Sequence, residues 1–167
     1  RKNAAELGAT NVEFHKGYIE RLPVDSASVD YVISNCVINL STDKPAVFRE
    51  LARVLKPGGS FAVSDLVLLR PLPEAIAADV NAYVGCVAGA SLLGDYLRMA
   101  LAAGLGDLRI PQITDGNQLA SAWTSDLKPL VERLGAGALQ EAAATLVAIK
   151  LHGRRLEAAR PAATCCG

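Results

Sequence analysis

The chain has 167 residues, of which 51% are apolar and 20% are charged, a composition typical of one globular domain. The 17 basic and 17 acidic side chains cancel, which argues against a nucleic acid or another polyanion as partner. No apolar run approaches the roughly 20 residues that span a bilayer, and no charged-then-apolar leader opens the chain. These features predict a cytoplasmic protein.

The N-terminal third alternates between helical and extended patterns. Residues 1–7 read as the end of a helix that Gly8 stops. A short strand is predicted at residues 12–15 and a loop at residues 17–23. Residues 28–34 carry a nearly continuous apolar run, which is typical of a strand buried on both faces of a parallel sheet.

The middle of the chain predicts a helix and a second buried strand. Ser41 is the predicted N-cap, and Pro45 suits the first helical turn. The helix is expected to end at the Lys-Pro-Gly-Gly sequence of residues 56–59, because proline disfavours helix before it and glycine allows positive φ. Residues 60–69 form the next strand.

The C-terminal half continues the alternation and ends in two late strands. Helices are predicted at residues 73–90, 94–103, 127–134 and 138–144, and strands at residues 108–113 and 145–151. The alternation implies an α/β sheet with helices on both faces, and the late strands are expected to pair as an antiparallel edge. From His152 onward the chain reads as a polar tail.

Three stretches carry a family resemblance. They are Gly17-Tyr18-Ile19-Glu20 followed by Leu22-Pro23, the sequence VDYVISNCVINL at residues 29–40, and RVLKPGG at residues 53–59. Together they resemble class I S-adenosyl-L-methionine (SAM) dependent methyltransferases. The finer sequences ISNCVINL at residues 33–40 and AYVGCVAGA at residues 82–90, with the terminal Cys165-Cys166 pair, resemble arsenite methyltransferases.

The resemblance implies a Rossmann-like sheet with strand order 3-2-1-4-5-7-6. The glycine-rich loop, the first two strands of that sheet and the acidic residue that ends the second strand have no counterpart here. The chain is therefore expected to be an N-terminally truncated fragment that folds poorly and is inactive by itself, because neighbouring strands lose their partners. The expected division is residues 1–105 as part of the methyltransferase domain, 106–152 as a small α+β extension, and 153–167 as a flexible tail ending in Cys-Cys.

Two cysteines are candidates for substrate binding. Cys36 follows a strand at its carboxyl end, where open α/β sheets bind ligands, although a small buried hydrophobe is the alternative from position alone. Cys86 lies among small residues that allow a substrate or another helix to approach. By resemblance both bind trivalent arsenic, a soft centre that prefers thiolates. Cys165 and Cys166 are further candidate ligands, or incidental thiols of a mobile tail.

The cofactor residues are also implied by the resemblance. Ile19 would pack on the adenine, and Glu20 would accept from its exocyclic amine or cap the loop. The carbonyl of Asn35 would meet the SAM amino group. The complete predicted set comprises Tyr18, Ile19, Glu20, Asn35, Val37 and Leu40.

The resulting hypothesis is SAM-dependent methylation of arsenite by a monomeric enzyme, with thioredoxin or glutathione as reductant. An arsenic lone pair left by three thiolates would be the nucleophile, so positioning matters more than a general base. Two alternatives stay open. The protein could methylate a small organic substrate such as a quinone precursor, or it could be a non-catalytic remnant that binds arsenite or another thiophilic ion.

Overall fold

The computed structural model describes residues 1–72, 74–77, 87, 89–116, 118 and 135–157. Within these residues the strands form one five-stranded sheet. They are β1 (Val29–Asn35), β2 (Leu55–Leu68), β3 (Ser91–Leu92), β4 (Leu105–Asp115) and β5 (Leu146–Arg155).

The strand order is β1-β2-β5-β4, with β3 paired to the end of β2. β1 runs parallel to β2, and β5 runs antiparallel to both β2 and β4. This is the expected order 4-5-7-6 of the last four strands, with β4 as the antiparallel edge. The predicted α/β fold is therefore confirmed.

The helices are α1 (Lys2–Glu6), α2 (Lys44–Val54), α3 (Glu74–Ala77), α4 (Leu93–Ala102) and α5 (Ala136–Ala143), with a 3-10 turn at Ile38–Leu40. Gly8 ends the first helix as predicted. Its φ is +63°, its N–H donates to Ala5 O at 3.1 Å, and the Ala9 N–H donates to Ala4 O at 2.9 Å. This pair of bonds satisfies two carbonyls that would otherwise lack partners at the helix end.

The predicted cap of α2 is wrong. Asp43, not Ser41, is the N-cap, and its carboxylate accepts from the Ala46 N–H at 2.9 Å. Asp43 is the better acceptor because its charge also interacts favourably with the helix N-terminus. Ser41 instead ends the 3-10 turn, where its hydroxyl contacts Glu20. Pro45 lies in the first turn, as predicted.

The predicted strand at residues 12–15 is also wrong, because this segment is extended without belonging to any described strand. A strand is held by a ladder of hydrogen bonds, and no described strand lies beside this segment. Val12 and Phe14 are consequently 45% and 49% exposed.

β1 is not buried on both faces as predicted. Tyr31 and Ile33 share one face and are 50% and 77% exposed, whereas Val32 on the other face packs against the core. Among the described residues β1 pairs with β2 alone, so its second edge is open. The strand therefore carries an apolar sequence whose outer face is only partly covered.

The main core lies between the sheet and the helices α2 and α4. The rings of Phe48 and Tyr96, both fully buried, meet edge to face with centroids 5.0 Å apart. On the opposite face of the sheet a smaller cluster contains Leu66, Leu68 and Leu146. The core therefore holds α2 and α4 against one face of the sheet. Every second side chain of β2 points to that face.

The later elements mostly match the sequence. The predicted helices at 94–103 and 138–144 correspond to α4 and α5, and the strands at 60–69, 108–113 and 145–151 to β2, β4 and β5. The predicted start of the tail at His152 is wrong, because β5 continues to Arg155 and pairs there with β2 and β4. Of the predicted helix 73–90, α3 is described, whereas the described residues 87, 89 and 90 are not helical, so the predicted end of this helix is wrong. Cys86, the predicted helix 127–134, Cys165 and Cys166 lie outside the described residues.

The division at residue 105 stays a prediction, although strands from both sides of it join one sheet. In the part of the chain that the structure describes, no helix is long and apolar enough to cross a membrane.

Candidate active site

Cys36 lies directly beyond the carboxyl end of β1. Its backbone has φ of +51°, and its N–H donates to Ser64 O of β2 at 2.8 Å. The left-handed conformation costs a residue with a Cβ about 1–2 kcal/mol, and here it turns the chain out of the strand. Cys36 is an exposed residue at the strand end, the position that the sequence predicted, and its role as a substrate ligand stays a prediction.

The turn after Cys36 is fixed by a buried amide. Asn39 is fully buried, and its side-chain N–H donates to Leu66 O at 2.7 Å. Within the turn, the Leu40 and Ser41 N–H groups donate to Val37 O and Ile38 O at 3.1 and 3.0 Å. The segment that carries the thiol is therefore hydrogen-bonded to the central strand at both of its ends.

A buried carboxyl group lies beneath this turn. Asp65 of β2 is 1% exposed, and the Tyr96 hydroxyl donates to its Oδ2 at 3.0 Å. Burial raises the pKa of Asp65 to about 6, although the bond from Tyr96, backbone N–H groups and the charge of Lys44 favour the ionised form. Burial and the neighbouring Asp65 raise the pKa of Tyr96 as well.

This carboxyl group affects the thiol. Although Cys36 is exposed as a residue, partial burial of its thiol raises its pKa, and the negative charge of Asp65 raises the pKa further. Burial lowers the pKa of Lys44, while Asp65 acts in the opposite direction. Burial and the charge of Asp65 both favour the protonated form of the Cys36 thiol.

The predicted cofactor loop is a tight turn, in which the Arg21 N–H donates to Tyr18 O at 3.1 Å. Glu20 was expected to accept from the adenine amine or to cap the loop. In the structure its carboxylate accepts a short hydrogen bond from the buried Ser41 hydroxyl. This contact joins the cofactor loop to the turn that follows Cys36.

A second connection joins the loop to α2. The Leu22 N–H donates to Glu50 Oε2 at 2.8 Å, and Arg53 donates to both carboxylate oxygens of Glu50 at 2.7 and 2.9 Å. The same guanidinium lies 3.1 and 2.8 Å from the carbonyls of Leu22 and Val24. The bond from Arg53 lowers the pKa of Glu50, and the Leu22 N–H lowers it further.

These elements border an apolar cavity of about 260 Å³ beside β1. Ile19, Asn35 and Val37, three of the predicted cofactor residues, line it together with Ser34. The Ser34 hydroxyl is buried and has no hydrogen-bond partner among the described atoms.

Three predicted cofactor residues do not line this cavity, and one of them is Glu20, whose carboxylate contacts Ser41. Tyr18 is 79% exposed and borders a second pocket with Lys16 and Arg21. Leu40 is 43% exposed at the end of the 3-10 turn and does not line the cavity. Among the described residues no group of three or more His, Cys, Asp or Glu side chains could hold a metal ion.

Four residues that shape the site were missed from the sequence: Asp65, Tyr96, Glu50 and Arg53. Asp65 gave a usable signal, because it is a single carboxylate in an otherwise apolar buried strand. Glu50 and Arg53 have the spacing of a helical ion pair, but nothing in that spacing indicates the loop they hold.

Comparison with known proteins identifies the family and the fold. The family model described as "Methyltransferase domain" matches residues 1–135. An arsenite methyltransferase from Halobacterium salinarum is 43% identical over 126 residues, which are 75% of this chain and 32% of that protein. The chain thus spans about a third of the length of that relative.

Two solved structures resemble the fold. The crystal structure of an arsenic(III) SAM methyltransferase from Chlamydomonas reinhardtii is 30% identical, with a TM-score of 0.52 over 86% of this chain and 43% of that one. A geranyl diphosphate methyltransferase in complex with SAM has a TM-score of 0.70 at 19% identity, over 93% and 62% of the two chains. The second likeness concerns the fold alone.

The family match covers most of the chain, and the sheet order is that of class I methyltransferases. The chain therefore belongs to the methyltransferase-domain family and has the class I fold, whose members take SAM as methyl donor.

Proposed function

We propose that the protein containing this chain methylates trivalent arsenic, with Cys36 as one of the thiol ligands of the substrate. The observation that carries the proposal is the position of this thiol. It is exposed beyond the carboxyl end of β1, beside the cavity that Ile19, Asn35 and Val37 line. The likeness to arsenite methyltransferases at 43% identity supports the choice of substrate.

The chemistry of arsenite suits a thiol whose pKa is raised. Each As–S bond that forms replaces an As–OH bond, and the thiol proton leaves with that hydroxide as water. The exchange therefore proceeds from the protonated thiol and needs no permanent thiolate. Arsenic prefers sulfur over oxygen or nitrogen ligands, so a serine at this position would be a poor substitute.

The residues around the cavity suit the methyl donor. SAM, when bound, supplies an electrophilic methyl group. Ile19 and Val37 would form apolar walls for its adenine and methionine parts, and the backbone carbonyl of Asn35 would meet its amino group. The protein's contribution is to orient substrate and donor and to exclude water.

Titration calorimetry of the chain with arsenite and with SAM, beside a version extended upstream, tests the proposal. We expect arsenite to bind, and Cys36→Ser to weaken arsenite binding by roughly 100-fold, since one of few soft ligands is lost. Ser34→Ala is the matched control for the arsenite titration, because it changes the neighbouring strand without removing a thiol.

The outcomes separate the alternatives. If neither form binds arsenite but SAM binds, the protein methylates an organic substrate and the arsenic proposal is wrong. If arsenite binds and SAM binds to neither form, the thiol-binding remnant is the correct reading. Cys86 as second ligand, and thioredoxin or glutathione as reductant, remain part of the proposal and follow from the resemblance.

A further inference from the structure

We propose that Glu50 and Arg53 are positioning residues for the cofactor: the pair on α2 holds residues 18–24 in the shape that receives SAM. This inference rests on the proposed use of SAM at the cavity beside β1. Neither side chain lines that cavity, so their effect would act through the loop.

The pair contacts the backbone of the loop directly. Glu50 Oε2 accepts from the Leu22 N–H at 2.8 Å, and Arg53 donates to the carbonyls of Leu22 and Val24. Leu22 is thus held by both its N–H and its C=O. Because Leu22 also lines the cavity, fixing its backbone fixes one wall of the candidate cofactor site.

The attachment continues along the segment that leads into β1. Arg53 Nη1 donates to Ser26 Oγ at 3.0 Å, and its backbone carbonyl accepts from the Ala27 N–H at 2.8 Å. The last turn of α2 therefore acts as a support for a segment that has no strand or helix of its own. A segment without such a support samples many conformations, and ordering it on binding costs affinity.

The geometry explains why arginine and glutamate are both needed. The Glu50 carboxylate fixes the guanidinium through two bonds, and the planar fork then reaches two carbonyls and one hydroxyl at once. A lysine would keep the charge next to Glu50 but has no fork. Arg53→Lys should therefore release the loop while the ion pair persists.

Two measurements on the same variants test the inference. SAM affinity is measured by calorimetry, and exchange of the Leu22 amide hydrogen by NMR. For Arg53→Lys we expect roughly tenfold weaker SAM binding and faster exchange at Leu22. The Cys36 amide, which donates to Ser64 O, should keep its exchange rate and serves as internal reference.

Arg49→Lys is the matched control, because Arg49 is an exposed arginine on the same helix, 4.0 Å from Asp43. It should leave both measurements unchanged. Glu50→Gln, which is isosteric, should weaken SAM binding less than Arg53→Lys, since its amide oxygen can still accept from the Leu22 N–H.

The inference is wrong if Arg53→Lys binds SAM as tightly as the parent, or if the Leu22 and Cys36 amides both exchange faster, which would indicate general destabilisation. If the parent chain and its extended version bind no SAM, the proposed function itself fails and the inference falls with it. These results are distinguishable, because the first two require a parent that binds SAM.

Discussion

The two sides of the candidate site each depend on a carboxyl group, and the two groups are perturbed in opposite directions. On the thiol side, burial raises the pKa of Asp65 to about 6. On the cofactor side, the bond from Arg53 lowers the pKa of Glu50. Asp65 has a neutral hydroxyl as its hydrogen-bonding side chain, whereas Glu50 has a guanidinium.

The difference shows how the same chemical group can serve two purposes. An ion pair with Arg53 makes Glu50 a fixed support for the cofactor loop. Asp65 is held in an apolar layer, where its charge is costly and influences the neighbouring thiol. The cofactor side therefore gains stability from its carboxylate, and the thiol side loses some. The following predictions test this contrast.

The largest effect is expected for Phe48→Ala. Phe48 is fully buried and packs edge to face on Tyr96, the partner of Asp65. Removing its ring should lower the free energy of unfolding by about 3–5 kcal/mol. Phe14→Ala is the control: Phe14 is 49% exposed and should cost far less. Urea denaturation measures both, and equal losses would contradict the assigned core.

Asp65→Asn should change how stability depends on pH. The folded-state pKa of about 6 lies above the ordinary value of 3.8. The carboxyl group of Asp65 thus binds its proton more tightly in the folded than in the unfolded state. The stabilisation that results is complete below about pH 4 and is lost as the pH rises through about 6. Between pH 3 and pH 7 the parent should lose about 3 kcal/mol relative to the variant.

The measurement is a series of denaturation curves on the parent and the Asn variant. Taking the difference cancels the titration of carboxyl groups that both proteins share. A difference that does not vary with pH would mean that the Asp65 carboxyl is not perturbed in the folded state.

Glu50→Gln should give the opposite slope, and a smaller one because Glu50 and Arg53 are 14% and 33% exposed. A carboxyl group whose pKa is lowered by folding stabilises the fold at pH values above its unfolded-state pKa. This stabilisation is lost as the pH falls through the folded-state pKa. The parent should therefore exceed the variant in stability at neutral pH, with the gap closing in acid. If the stability difference between parent and variant grows as the pH falls, the pKa of Glu50 is not lowered in the folded state.

The sequence predicted the features that depend on local patterns or on family motifs. The contacts that it missed join residues far apart in the chain. The glycine at the end of α1 and the strand order follow from short patterns and from a resemblance. Ser41 and Asp43 both have good capping side chains, and only the three-dimensional contact of Ser41 with Glu20 distinguishes them, so the sequence predicts the wrong N-cap.

The candidate site divides in the same way. Cys36, Asn35 and Ile19 were found because they belong to motifs. The Asp65–Tyr96 bond joins residues 31 positions apart, and the Leu22–Glu50 bond joins residues 28 positions apart. No short-range pattern in the sequence indicates that such distant residues are in contact. Their signal in the sequence is one charged residue in an apolar strand and one ion pair on a helix, each of which has a simpler explanation.

The smallest expected effect concerns the thiol itself. Burial raises the pKa of Cys36 first, and the charge of Asp65 raises it second, so Asp65→Asn should remove only the second cause. The thiolate fraction at neutral pH should increase, and iodoacetamide should alkylate Cys36 faster, because the thiolate is the reactive form. Peptide mapping across a pH series isolates Cys36 from the other cysteines. A rate profile that shifts to higher pH in the variant would show that Asp65 does not act on the thiol through its charge. An unshifted profile would assign the whole perturbation to burial, and Asp65 would then matter for the fold rather than for arsenite capture.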